Sequence, residues 1–401
     1  MLRPRARDDV AIRGLFLTTG FAIAAFFPFL ALYLRDFHGL DESQIGLVLA
    51  CTAIARMLAN PVWGHMADTR IGRLTALQLG LAGSAAAAFI LNAAGAVPAV
   101  AALMVVQAAF MVAAWPNIDA IALEHLGDAR MSEYGRLRGW TSLSYAVGCL
   151  LFGAILQRSG IRWAMPLYGV SAAMILVWST TVVRDRPHPS GDHGRLGALG
   201  SVFREAPRYW GFLAAALFVW TGFNAAWNFI GPRIEDQGGG PLLIGLGTAI
   251  GGLCEVPMMR SSSRLQRRFG LRWVYVAGCA TYGMTFLLWG AISNPTILSL
   301  LAVFEGIGFS LLFTTAVVVV GRLLPRSLYS TGNAVGQMVA FGIGPILGAG
   351  LGGIVYQRLG APTLYMGACA LAFAAAVIAW FALSTPLLSE PEPEPEADRL
   401  L

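Results

Sequence analysis

Apolar stretches of about twenty residues or more recur from one end of this chain to the other, and few charges interrupt them. They can be marked at 11–34, 44–67, 73–94, 97–123, 136–157, 162–183, 208–232, 241–262, 271–292, 296–321, 328–356 and 361–386. At a rise of 1.5 Å per residue, each can cross a hydrocarbon core of about 30 Å as an α-helix. Only 12% of the 401 residues are charged and 56% are hydrophobic. A soluble domain carries about 25% charged residues, so the bilayer is the solvent here. Forty-seven glycines suit membrane helices whose backbones approach closely. An ordinary soluble protein, a disordered chain and a collagen are all excluded. The expected fold is an all-α integral membrane protein of twelve transmembrane helices.

The arginines give the orientation. All 28 basic residues are arginine, and if the spans alternate, 22 of them fall on one side and five on the other, with Arg56 inside a span. One missed or invented span would invert every later loop and spoil this sorting, so an even number is supported. By the positive-inside rule the arginine-rich side is cytoplasmic, and both termini lie there. The net charge of +6 therefore reads as membrane orientation and not as nucleic-acid binding. The first span follows Arg3, Arg5 and Arg7 and lacks a small-residue cleavage site, so it is expected to remain as a helix. The expected location is a cell membrane, of the bacterial inner-membrane kind, spanned many times. Cys51, Cys149, Cys254, Cys279 and Cys369 lie scattered in apolar segments without a CxxC pair, and read as small packing residues. The weakest boundary is the short turn between 67 and 73.

The sequence repeats itself. Gly153-Ala-Ile-Leu-Gln157-Arg158-Ser159-Gly160 returns 200 residues later as Gly353-Ile-Val-Tyr-Gln357-Arg358-Leu359-Gly360, and Tyr168 and Tyr365 follow the two copies. The longest polar loop, rich in Pro, Gly, His and Arg, divides the copies. The expected organisation is two pseudo-symmetric six-helix bundles at 1–183 and 208–386, a cytosolic linker at 184–207, and a disordered acidic tail at 387–401 whose glutamates alternate with prolines. Such paired bundles let transporters expose a midplane site to each face in turn. Two halves in one chain make a functional monomer sufficient.

Few ionisable side chains lie away from the span ends: Arg56, Asp119, Glu255 and Glu305, with Arg138 at the start of span 5. Each costs roughly 2.5–3.5 kcal/mol near the bilayer centre and should face the interior. Asp119 lies near the cytosolic end of span 4 and Arg138 near the cytosolic start of span 5, so they share a depth and can pair, either as a structural tie or as a solute site. Glu255 and Glu305 have no cation on their own helices, and withdrawal from water favours the protonated form of a carboxyl. That is the chemistry of proton coupling, with a proton as the coupling ion and no other cofactor expected. Arg56 is either a counter-charge to these acids or a ligand for an anionic solute. Trp115, Asn117, Trp140 and Tyr145 lie beside the Asp119–Arg138 pair, and Asn224 and Trp227 occupy span 7. Rings to stack on and amides to hydrogen-bond suit a small organic solute. The glycines of span 11 read as packing residues.

These residues bring a family into view. Phe27-Pro28-Phe29, the signature-like Trp63-Gly64-His65-Met66-Ala67-Asp68, and Tyr134-Gly135-Arg136-Leu137-Arg138-Gly139-Trp140 together resemble the major facilitator superfamily over about 10–386. Within it, the chain is similar to the branch holding lactose permease, nucleoside:proton symporters and the phenylpropionate porter. The resemblance implies a cytosolic gate at Gly64, Asp68 and Arg73, although Thr69-Arg70-Ile71-Gly72-Arg73 is one residue longer than the usual signature. It implies a solute-binding pair at Asp119, three residues after Pro116, and Arg138. It also implies a proton-accepting role for Glu305 within Val303-Phe304-Glu305. The helix 10 histidine of lactose permease falls on Ala302, and span 9 has no mid-span arginine; Arg56 and Glu255 look like the phenylpropionate-porter side of the branch. No HExxH or GxSxG pattern suggests an enzyme. The expected function is proton-coupled symport of an aromatic acid, nucleoside or sugar-like solute, with lipid as the other partner. Proton-coupled efflux is the alternative.

Overall fold

A computed structural model describes residues 4–127, 130, 133–182, 207–325, 328–385 and 388. The described residues are helical throughout, with no strand among them. Eleven stretches are long and apolar enough to cross a membrane: α1 Asp9–Asp36, α2 Glu42–Ile71, α3 Arg73–Leu91, α4 Val97–Leu126, α5 Tyr134–Ser159, α6 Ile161–Ser179, α7 Arg208–Asp236, α8 Pro241–Phe269, α9 Leu271–Ala291, α10 Pro295–Leu323 and the long Thr331–Ala382. The last has 52 residues and is broken at Gly360, where φ is 83°. It therefore supplies two spans, α11 (331–359) and α12 (361–382), and the twelve expected helices are present. The protein is a multi-pass membrane protein. Of the expected linker at 184–207 and tail at 387–401, all but Pro207 and Leu388 lie outside the described residues.

The doubtful boundary at 67/73 has a physical solution. Ala67–Ile71 forms a π-helical turn, and Gly72 then leaves the helical region with φ 78°. A π turn takes in one more residue than an α turn, so the extra residue of the signature is absorbed there. A residue with a side chain would be strained at that φ. The backbone also extends the repeat beyond the sequence motif. Gly160 and Gly360 have φ of 92° and 83°, Gly72 and Gly270 have 78° and 80°, and Gly39 and Gly238 have 68° and 81°. Helix breaks thus recur about 200 residues apart at three places.

Two compact units are distinguished by their internal packing, one comprising the described part of 1–191 with Phe229–Gly252, the other the described part of 192–228 and 253–401. In the first, α1 packs on α5 and α6, and α3 packs on α4 and α6. Small residues and polar ties hold these pairs, as expected where lipid gives no hydrophobic drive. Gly148 lies against Ala24 and Phe21, Thr141 Oγ1 donates to the Phe16 carbonyl (3.1 Å), and Trp178 Nε1 donates to the Ala11 carbonyl (2.8 Å). Asp41 caps α2 reciprocally with Gln44 (2.8 and 3.1 Å). At the end of α1, Arg35 meets Asp36 (2.8 Å), Glu235 (3.1 Å) and Asp236 (2.8 Å).

In the second unit, α9 packs on α10 and on the helices of 344–382. Its core is aromatic: Tyr275, Tyr282, Phe286, Trp289 and Tyr365 are fully buried. Gly344, Gly348 and Gly352 of α11 lie close against α7, at Trp220, Thr221 and Ala225. A Cβ on Gly348 would lie 2.5 Å from the Thr221 carbonyl oxygen and 2.8 Å from Asn224 Cβ. Gly348→Val should therefore cost about 1–3 kcal/mol through overpacking against α7. A thermal melt of the purified protein in detergent checks this, and an unlowered midpoint would mean that α7 and α11 part without cost.

Candidate functional site

The Asp119–Arg138 pair forms. Arg138 Nη1 donates to both carboxylate oxygens of Asp119, at 3.0 and 2.9 Å, and its guanidinium carbon lies 4.8 Å from the centre of the Trp115 ring. Trp115 and Asp119 are one turn apart on α4, and so share a face. Tyr134 stands one turn before Arg138 on the same face of α5, beside the Asp119–Arg138 pair; its ring meets Phe16 edge-on at 6.5 Å. The four side chains form one polar, aromatic-backed surface. It is not sealed, because the Arg138 side chain is 41% exposed and that of Asp119 24%.

Other expected residues are placed differently. The Asn117 amide donates back to the Ala113 carbonyl of its own helix (2.7 Å) and is buried. It lies two residues from Asp119, about 200° round the helix. Asn224 likewise donates to the Trp220 carbonyl (2.8 Å). Trp140 is exposed on another face of α5 from Arg138. Tyr145 lies two turns beyond Arg138, its ring 3.7 Å from where a Cβ on Gly252 would sit. Arg56 is half-buried in α2, about 21 Å from Glu42 along the axis. It makes no ion pair or hydrogen bond among the described residues.

At the α2–α3 turn, Arg73 Nε lies 3.5 Å from Asp68 and Nη1 lies 3.2 Å from Glu124 at the end of α4. Arg73 and Asp68 are thus brought together across the lengthened turn. Gly64 has nothing within 4 Å of a would-be Cβ. The α4–α5 turn carries a cluster that the sequence reading treated only as orienting charge. Arg130 contacts Asp9 (3.2 Å) and Glu133 (2.9 Å), and His125 Nε2 lies 2.6 Å from Asp9. The Arg130 guanidinium holds the Glu133 carboxyl below the usual range.

In the second unit, Glu305 is buried on α10 and Glu255 half-buried on α8. Ser310 Oγ donates to the Glu255 backbone carbonyl (3.2 Å), tying the two helices. Charge on Glu255 bears on Glu305, and both bear on the Tyr282 hydroxyl. No ion pair among the described residues neutralises either glutamate. On α7, Trp227 stacks on Phe223 (5.8 Å, 18°), which stacks on Tyr282 (5.2 Å, 11°).

A family model described as the MFS_1-like family matches residues 13–366. The chain belongs to this family. This MFS_1-like protein is therefore a membrane transporter of the major facilitator superfamily, as its sequence motifs implied. It is 28% identical over 354 residues to a maltose permease of Geobacillus stearothermophilus, covering 88% of this chain and 89% of the relative. It is 25% identical over 345 residues to a Deinococcus radiodurans protein named for sugar efflux, covering 81% and 87%. Its fold matches the crystal structure of the nucleoside transporter NupG with a TM-score of 0.82 at 14% identity, over 94% of this chain and 99% of that one.

Proposed function

We propose that this transporter couples the movement of a small organic solute of sugar or nucleoside size to the movement of a proton, by alternating access, and that the direction is uptake. The observation that carries the reading is Glu305, a buried carboxyl on a membrane-spanning helix beside a second acid and without a cation among the described residues. A carboxyl so placed can be neutralised only by a proton, because transfer of a bare carboxylate from water is far costlier than any hydrogen bond repays. Asp119, Arg138, Trp115 and Tyr134 are assigned to the solute, since a part-exposed ion pair backed by rings offers both hydrogen bonds and a stacking face. Asp68 and Arg73 are assigned to the cytosolic gate, which follows the charge-sorted topology. The relatives named for maltose, sugar and nucleoside transport support this class of solute.

External pH, recorded in weakly buffered, de-energised cells expressing the protein while maltose, uridine and 3-phenylpropionate are added one at a time, tests the proposal. Alkalinisation on one addition establishes symport and names the solute class. Acidification instead would reverse the direction to antiport, which the name of the Deinococcus relative favours. No change with any of the three, in cells shown to contain folded protein, removes proton-coupled uptake of these classes.

A further inference from the structure

A hydroxyl without a hydrogen bond inside a packed core costs about 1–3 kcal/mol, so each such group calls for a reason. Tyr282 on α9 is one. Its side chain is fully buried, and its hydroxyl has no hydrogen-bond partner among the described residues. The surroundings bring it to the two acids. Gly308, one turn beyond Glu305, removes the side chain that would meet the Tyr282 ring, since a Cβ there would lie 2.6 Å from it. The ring therefore lies against α10 beside the glutamate, and Phe223 covers its face from α7. The titratable groups that bear on it are Glu305 from α10, Glu255 from α8 and Cys279 from its own helix. None of these is a cation.

Resting on the proton-coupling reading above, we propose that Tyr282 is a positioning residue for the proton site: its hydroxyl donates to the Glu305 carboxylate when that group is ionised, and loses this acceptor when Glu305 takes up a proton. A neutral donor is the partner that fits such a site. A permanent cation would hold the carboxylate ionised, whereas a hydroxyl steadies it and still allows protonation. The stack Trp227–Phe223–Tyr282 holds the ring from α7, so the hydroxyl keeps its place beside α10 in either protonation state of Glu305.

The test is infrared difference spectroscopy of the whole protein in lipid nanodiscs, taken between acid and alkaline pH with no solute present. Wild type should show a carboxyl C=O band that is lost in Glu305→Gln, and a tyrosine C–O band that is lost in Tyr282→Phe. The tyrosine band should also be lost in Glu305→Gln, because a hydroxyl that follows the protonation of Glu305 has nothing to follow once the amide replaces it. Phenylalanine keeps the ring and its stacking, so folding is preserved. A Glu305-dependent carboxyl band with no Tyr282-dependent partner overturns the role of Tyr282 and leaves the proton site standing. A tyrosine band that survives in Glu305→Gln also overturns it. Absence of any Glu305-dependent band overturns the proton site itself, and the proposal with it.

Discussion

Glu305→Gln should abolish accumulation of solute against its gradient while leaving exchange across the membrane intact. Glutamine has the shape of the protonated acid but cannot ionise, so a carrier that must bind and release a proton is held in one charge state. Reorientation with solute bound does not require that release, and exchange of labelled for unlabelled solute in proteoliposomes should continue at a rate within about a few-fold of wild type. Net uptake driven by a pH gradient should fall to the level of empty vesicles. Burial makes the result decisive, because Glu305 is only 4% exposed and has no ion pair among the described residues. Removing half of a buried pair costs about 3–5 kcal/mol by stranding the partner charge, and no partner is stranded here. Loss of both activities in a folded variant would instead assign Glu305 to binding or architecture.

How far the sequence revealed this arrangement depends on how local each signal is. Span number, the Gly160 and Gly360 breaks and the pairing of Asp119 with Arg138 were legible, because hydropathy, glycine and charge at matched depth act within a few turns. The lengthened signature was legible as an anomaly, and its solution as a π turn at Ala67–Ile71 needed the backbone. The engagement of Asn117 and Asn224 within their own helices was not legible, since an amide on a helix can either donate to the carbonyl four residues back, as both do, or turn outward. Tyr134 stood in a motif quoted for its arginine, and its spacing of four from Arg138 was the available signal. Tyr282 gave none: one tyrosine among many core aromatics becomes distinctive only when its hydroxyl is found unpartnered beside two acids. The cluster of Arg35 with Glu235 and Asp236 joins positions some 200 residues apart, beyond the reach of any local pattern.

Arg138→Lys separates a solute site from a structural tie. The Arg138 guanidinium carbon lies 4.8 Å from the centre of the Trp115 ring while Nη1 serves both oxygens of Asp119, and its remaining N–H groups are available to a solute. Lysine can keep the charge and one contact to Asp119, but it loses the planar fork and the stacking face. The stacking alone is worth about 0.5–2 kcal/mol, and a lost hydrogen bond to a charged group about 1.5–3 kcal/mol. Solute affinity should therefore fall about 30-fold or more, while the thermal midpoint of the unliganded protein changes little, because the Lys–Asp119 charge pair persists at a position that is 41% exposed. Binding measured by isothermal titration with the solute class identified from the pH recordings, alongside a melt without solute, reads the two effects separately. A fall in affinity at constant midpoint assigns Arg138 to the solute. A fall in midpoint at constant affinity makes the pair a brace between α4 and α5, and moves the solute site to other residues.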